Sequence, residues 1–247
     1  MVRVRLNLFN QSSMATPFVF REITKMEELS YAFRLRYQLY SQSRHRPFLR
    51  LNEQGVDIDA FDIHAKHFAI FREQELIGYI RAIFPRNNYT NPLVNCITKE
   101  FGSLISTPSD EDYPFLSYEN VPESYFKFMK TLENNGDVLC EASRLVIHPS
   151  FQSLGVVKML IESSLSTHIL HHDCSWVVIN CCPTHQRFYQ RYGSKHIGEN
   201  KGFTSKGCEV ITLAVQTNPL KVEEPYRERL IELNRQYKQS GQIVMTV

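Results

Sequence analysis

Apolar and polar positions alternate along the chain in runs that predict a series of short strands and helices. Residues 18–23 read as a strand. The helix after it carries Met26, Leu29, Phe33, Tyr37 and Tyr40 on one face, with Thr24-x-x-Glu27 as a capping box and Pro47 ending the region. Residues 68–71 and 76–84 flank a turn at 72–75 and predict a hairpin. On its second strand Ile77, Tyr79, Arg81 and Ile83 share a face. Residues 85–136 are studded with Pro and Asn and are expected to wander over the surface, with one or two short helices such as 123–134. A buried strand (138–148), a tight loop (149–155) and an amphipathic helix from 156 follow. The apolar run 175–180 predicts a central strand. Pro183 opens a helix with Phe188, Tyr189 and Tyr192, closed by Gly193, and residues 195–198 and 208–216 give two more strands. The last helix starts at Glu224-Pro225, aligns Tyr226, Leu230, Leu233 and Tyr237, and stops at Gly241. The expected organisation is a lead-in (1–17), one domain (18–217), and a C-terminal helix and tail packed on it (218–247).

Composition narrows the function classes. The 247 residues, 43% hydrophobic and 22% charged, suit an ordinary globular core. A net charge of +2 gives no broad cationic surface for nucleic acid, although Arg44, His45, Arg46 and Arg50 cluster locally. No apolar run is long enough for a transmembrane segment, and the charged N-terminus does not read as a signal peptide. Six cysteines without metal-ligand spacing read as small core residues in a reducing compartment, so a cytoplasmic location is expected.

The candidate chemistry begins with an anomaly in the strand at 138–148. It holds Glu141, Ser143 and Arg144, and a buried charge costs several kcal/mol unless it is paired. Asp57, Asp59 and Asp62, with Phe61 among them, form an acidic set upstream. It is not a calcium loop, because the sixth and twelfth positions are Asp62 and Phe68. Arg81 inside a strand needs a carboxylate, and the Asp set offers candidates. Arg36 lies one turn before Tyr40 on the same helix face. His64-x-x-His67 lacks a third ligand, and His168, His171 and His172 suit a helix C-terminus, so no metal is expected. The loop Gln152-Ser153-Leu154-Gly155 opens a helix, a setting that suits an anion.

In this order the motifs resemble those of the GNAT-type acyltransferases. Gln152-Ser153-Leu154-Gly155-Val156-Val157 is similar to the family's (Gln/Arg)-x-x-Gly-x-(Gly/Ala) phosphate loop, except that Val157 replaces a small residue. Phe188-Tyr189-Gln190-Arg191-Tyr192-Gly193 is similar to its (Phe/Leu)-Tyr-x-x-hydrophobic-Gly stretch. A narrower resemblance is to the acyl-homoserine-lactone synthases and N-acyl amino acid synthases. Four motifs carry it: Arg36 with Tyr40; Asp57, Asp59, Phe61 and Asp62; Gly78 with Arg81; and Glu141, Ser143 and Arg144. The homoserine-lactone enzymes usually place a Trp before the acidic motif, where this chain has Pro47, Phe48 and Leu49. That departure, with His64 and His67 and the GNAT-like loop, favours an N-acyl amino acid product.

The resemblance implies an α/β (α+β) GNAT fold: a central mixed twisted sheet flanked by helices, a long insertion before the fourth strand and an extra C-terminal helix. It implies transfer of a fatty acyl group from an acyl-carrier thioester to the amino group of an amino acid or related amine. Homoserine-lactone synthesis, coenzyme A-dependent N-acetyl transfer and a degenerate binding module are the alternatives. Glu141, Ser143, Arg144 and Tyr189 would be catalytic, with Glu141 as base and Tyr189 as acid toward the leaving thiol. Arg36, Tyr40, Asp57, Asp59, Asp62 and Arg81 would shape the amine pocket, and residues 152–157 would hold the carrier. Strand alternation sets Arg144 opposite Glu141 and Ser143, so a bulge is needed to bring the three together. No cofactor would be bound permanently; the phosphopantetheine of an acyl-carrier protein, or acyl-coenzyme A, would be the co-substrate. Arg44, Arg46, Arg50, Lys158, Arg187, Arg191 and Lys195 are the expected dock for an acidic carrier protein.

Overall fold

A computed structural model describes residues 16–84, 91–105, 120–168, 174–197, 202–217 and 219–246, with Leu154 and His168 described as backbone only. Most of the expected lead-in, together with His171 and His172, lies outside these residues. The strands are β1 (Phe18–Glu22), β2 (Ala65–Arg72), β3 (Glu75–Ile83), β4 (Leu139–Ile147), β5 (Trp176–Cys181), β6 (Lys195–His196), β7 (Phe203–Ser205), β8 (Cys208–Gln216) and β9 (Gln242–Met245). The helices are α1 (Met26–Ser41), α2 (Val94–Phe101), α3 (Glu123–Asn134), α4 (Leu154–His168), α5 (Gln186–Gln190) and α6 (Tyr226–Ser240).

The sheet runs β6-β8-β5-β4-β3-β2-β1-β9, with β7 also paired to β8. Its neighbours are antiparallel except β4 and β5, which pair in parallel over residues 139–142 and 176–179 and then separate. One face is covered by α4 and α6 through Leu160, Ile161, Leu165, Leu230 and Leu233, packed on Phe68, Ile70, Ile80, Ala142 and Val177. The other face carries α1 and α2 on Ala69, Phe71, Tyr79 and Val146. Beside them, α3 packs on Val178, Val210 and Ala214. Helices therefore flank a mixed sheet on both sides, and the segment between β3 and β4 contains α2 and α3, as expected.

Several local expectations fail for identifiable reasons. The capping box at Thr24 does not form: α1 starts at Met26, with Lys25 at the N-cap and no side-chain cap. Ile77 does not share a face with Tyr79. The register pairs Ile70 with Gly78 and Phe71 with Leu76, which leaves Ile77 as an inserted residue. The bulge turns it toward the α4 side, while Tyr79 faces α1. Residues 94–101 are not surface wandering, because Ile97 and Phe101 of α2 are buried against α1. Two short strands, β7 and β9, are additional to the expected set. The second follows Gly241, whose φ of 70° ends α6 and lets the tail pair along the edge of β1. Gly193 is needed where the chain leaves α5: its φ is 78° and an added Cβ would lie 2.3 Å from the Lys221 carbonyl oxygen.

Candidate active site

Three arginines and three aspartates meet beneath the bend of β4. Arg36 of α1 is fully buried, with Nε 2.9 Å from Asp57 Oδ2 and Nη1 2.8 Å from Asp62 Oδ1. Arg81 of β3 reaches Asp59 at 2.6 Å and Asp62 at 3.0 Å. Arg144 of β4 reaches Asp57 and Asp59, each at 3.1 Å. The aspartates are fixed by their own short turn: Asp59 accepts from Phe61 N, and Asp62 Oδ2 accepts from Asp59 N, a reciprocal capping box. His67 bridges Tyr79 Oη and the Asp62 carbonyl. Burial pushes His67 down to about 4, so it is neutral at pH 7 and adds no charge. Formal charges in the cluster cancel three against three. Burial would raise Asp62, but Arg36 and Arg81 outweigh it and hold that carboxyl far below the ordinary range.

The required bulge is present. The ladder pairs Tyr79 with Val146 and Arg81 with Ser143, so β4 carries one residue more than β3 between them. Arg144 there has φ 57°, left-handed backbone that a non-glycine residue adopts at a cost. The bulge delivers Arg144 to the side on which Arg81, Ser143 and Glu141 lie, where it completes the ion-pair cluster.

Glu141 is the carboxylate left outside this balance. It is 3% exposed, and its Oε2 is buried without a hydrogen-bond partner. Burial pushes its pKa up to about 7 against the pull of Arg81 and the Ser143 hydroxyl. Ser143 in turn accepts from Arg81 Nε at 3.2 Å. A carboxyl poised near neutrality beside fixed cations is suited to accept a proton at physiological pH.

A cavity of about 430 Å³ opens where β4 and β5 part. Its wall includes residues from both faces of the sheet, so the cavity passes through the gap. On the α4 side it is apolar, with Ile80, Ala142, Ile161, Leu165, Val177 and Val215. On the α1 side it is polar, with Tyr40, Asp59, Arg81, Glu141, Ser143 and Arg144, and His45 and Arg50 beyond them. Arg36, Asp57 and Asp62 are not part of the wall; they are sealed behind it and set the positions of Arg81, Asp59 and Arg144. Phe48, in the segment before the acidic motif, faces the cavity, whereas Trp176 stacks edge-on against Phe128.

Tyr189 of α5 lines the same cavity. Burial, and then the neighbouring Cys181 and Tyr40, raise its phenol well above the ordinary value, so it stays protonated and can donate. The loop expected to hold the carrier lies elsewhere. Gln152 donates to the Ile147 carbonyl at 3.2 Å, and Ser153 Oγ accepts from Val156 N at 3.3 Å at the start of α4. Gln152, Ser153 and Val156 border a separate shallow groove with Arg72 and Phe151. Val157 points inward and packs on the α4–α6 core, so its bulk does not enter the groove. Residues that sequence reasoning missed are Asn180 of β5, Lys206 and Glu209. The polar residue ending the apolar run of β5 was the available signal for the first.

Among the described residues no three potential metal ligands converge, and no helix is long and apolar enough to cross a membrane.

Comparison with known proteins accords with this fold. The family described as N-acyl amino acid synthase FeeM matches residues 116–216, and the acetyltransferase (GNAT) domain family matches residues 35–112. Among solved structures, FeeM, an N-acyl amino acid synthase from uncultured soil microbes, aligns with a TM-score of 0.51 at 15% identity, covering 87% of this chain and 96% of its own. BjaI, a CoA-dependent acyl-homoserine lactone synthase, aligns with a TM-score of 0.55 at 13% identity, covering 90% of each chain. The AHL synthase LasI aligns with a TM-score of 0.52 at 12% identity, covering 88% of this chain and 96% of its own. None of the curated proteins matches the chain in sequence. The chain has a GNAT-like acyltransferase fold, and the families that its two parts match indicate an N-acyltransferase similar to the N-acyl amino acid synthases.

Proposed function

We propose that the protein transfers a fatty acyl group from a thioester to the amino group of an amino acid, giving an N-acyl amino acid. The observation that carries this reading is Glu141: a buried carboxyl near neutrality, left over from a balanced ion cluster, facing a cavity that is apolar on one side and polar on the other. In this reading the acyl chain lies in the apolar side under α4 and α5, and the amine enters from the polar side beside Tyr40, Asp59 and Arg81. Glu141 takes the proton of the attacking amine. Backbone N–H groups at the Arg144 bulge polarise the carbonyl, Ser143 orients Glu141, and Tyr189 donates to the departing sulfur.

The donor is the phosphopantetheine arm of an acyl-carrier protein, or coenzyme A. The start of α4 with Arg72 beside it is an anion-binding setting for the phosphate of either. Arg44, Arg46, Arg50, Lys158, Arg187, Arg191 and Lys195 are all exposed, which suits an acidic carrier protein. Among the described residues the cysteines form no disulfide, which suits a reducing, cytoplasmic setting.

The test offers the purified protein long-chain acyl-carrier protein and acyl-coenzyme A with a panel of amino acids and S-adenosylmethionine, and identifies products by mass spectrometry. N-acyl amino acids are expected; folded protein that acylates no amine overturns the proposal. Because the base must be ionised, kcat/KM should rise with pH and level off above about 7, the value to which burial raises Glu141. A flat profile from pH 5 to 8 would exclude Glu141 as base. Tyr189→Phe should lower kcat toward the small end of the ~10²–10⁴-fold range for acid catalysis, since a thiolate leaves readily. A pre-steady-state assay of thiol release checks this.

A further inference from the structure

Apart from Arg144 Nε, which is ion-paired with Asp57, two buried polar atoms without a hydrogen-bond partner belong to side chains that line the cavity from the strands flanking its gap. One is Glu141 Oε2 on β4; the other is Asn180 Nδ2 on β5. The parallel ladder joins Glu141 to Val178 and Ala142 to Ile179, then stops. Asn180 is the next position on Glu141's side of the sheet, so it stands across the gap from Ser143.

The orientation of the Asn180 amide is fixed from behind. Asn180 pairs in register with Thr212 of β8, and its Oδ1 accepts from Thr212 Oγ1 at 2.5 Å. That separation belongs to an O–H···O contact; an N–H···O contact is longer, so the oxygen faces Thr212 and the NH₂ group is turned away from it. Thr212 is itself held, its N–H donating to Tyr125 Oη at 3.0 Å. A neutral donor is thus held rigid at the edge of a gap whose other edge carries the base. Burying an amide N–H without a partner costs about 1–3 kcal/mol, a cost that a hydrogen bond formed in the reaction would recover.

We propose that Asn180 Nδ2 is a catalytic hydrogen-bond donor to the oxygen of the thioester carbonyl. The proposal rests on the acyl-transfer reading of this cavity. As the amine nitrogen forms its bond to the carbonyl carbon, the C=O π pair moves onto the oxygen that Asn180 holds, and Glu141 takes the nitrogen's proton. The C=O bond then reforms, and the C–S bond breaks with its electron pair leaving on sulfur, which is protonated by Tyr189. A donor fixed before the charge develops requires no reorganisation when it does.

The test compares Asn180→Ala and Asn180→Asp with the wild-type protein, using a donor and acceptor that the wild type turns over. Asp can still accept from Thr212 but presents an oxygen where the NH₂ stood. Both variants should lose kcat by about 10²–10³-fold, the usual effect of removing one such donor, with the acceptor KM within about twofold. Thr212→Val, which frees the amide to rotate, should lose less. Calorimetry with an S-alkyl thioether analogue, which has no carbonyl, should give the same affinity for Asn180→Ala as for the wild type. A kcat within about threefold of wild type overturns the proposal. So does a rise in acceptor KM at constant kcat, which would assign Asn180 to acceptor binding, or an equal weakening of the thioether. A wild-type protein that acylates nothing would instead remove the acyl-transfer reading beneath it.

Discussion

Glu141→Gln should abolish most turnover while leaving the protein as stable as before, or more so. General-base catalysis contributes ~10²–10⁴-fold, and among the described cavity residues Glu141 is the carboxyl whose pKa is raised toward neutrality with an oxygen free to accept. The sign of the stability effect follows from linkage. Burial raises the folded-state pKa from the ordinary 4.5 to about 7, so between these values the folded protein holds a proton that the unfolded chain has released. Stability attributable to this group therefore falls as pH rises from about 4.5 to 7, and the penalty is complete above 7. Glutamine removes the penalty while keeping the volume. Melting curves should place the variant at or above wild type at pH 8, with the difference closing by pH 4.5. Rates fitted under saturating donor should lose the limb near pH 7. A variant that retains more than about a tenth of wild-type kcat would sink the assignment.

The residues that make this site unusual for a protein interior are partly legible in the sequence. Glu141, Ser143 and Arg144 were conspicuous because a core strand should not carry them, and Arg81 because a buried arginine needs carboxylates. Both readings lead to the same cluster in space. The hairpin and α3 were legible from periodicity and breakers. What periodicity cannot reveal is an inserted residue. The bulges at Ile77 and Arg144 reverse the facing of their neighbours, and only the partner strand's register exposes them. Nor does spacing distinguish a charge that lines a cavity from one behind its wall. Arg36 and Arg81 look alike in sequence, yet the first is sealed by α1 and the second reaches the cavity. β9 was missed because four residues after a glycine carry too short an alternation, and their pairing depends on a β1 edge more than two hundred residues earlier.

Asp62→Asn should be the most destabilising single change in the site. It leaves Arg36, which is fully buried, with Asp57 as its remaining carboxylate, and Arg81 with Asp59. Removing one partner of a buried ion pair costs about 3–5 kcal/mol, because the other charge stays in the interior uncompensated. Urea denaturation should show a lower midpoint at unchanged m-value. Arg36→Gln combined with Asp62→Asn restores charge balance, and the pair should be less destabilising than the sum of the single changes. The folded-state pKa of Asp62 is depressed, so its contribution is present above the unfolded carboxyl value of about 4 and is lost as pH falls below it; the variant should lose part of this acid sensitivity. Asp59→Asn distinguishes the cluster's structural role from its electrical one. Asp59 raises the pKa of Glu141, while Arg81 and Arg144 lower it. Removing the Asp59 charge should therefore move the Glu141 limb of the pH–rate profile below 7, even where the protein remains folded. An unmoved limb in folded Asp59→Asn would mean that the cluster holds the fold without tuning the base. A limb displaced to lower pH would mean that the same six charges do both.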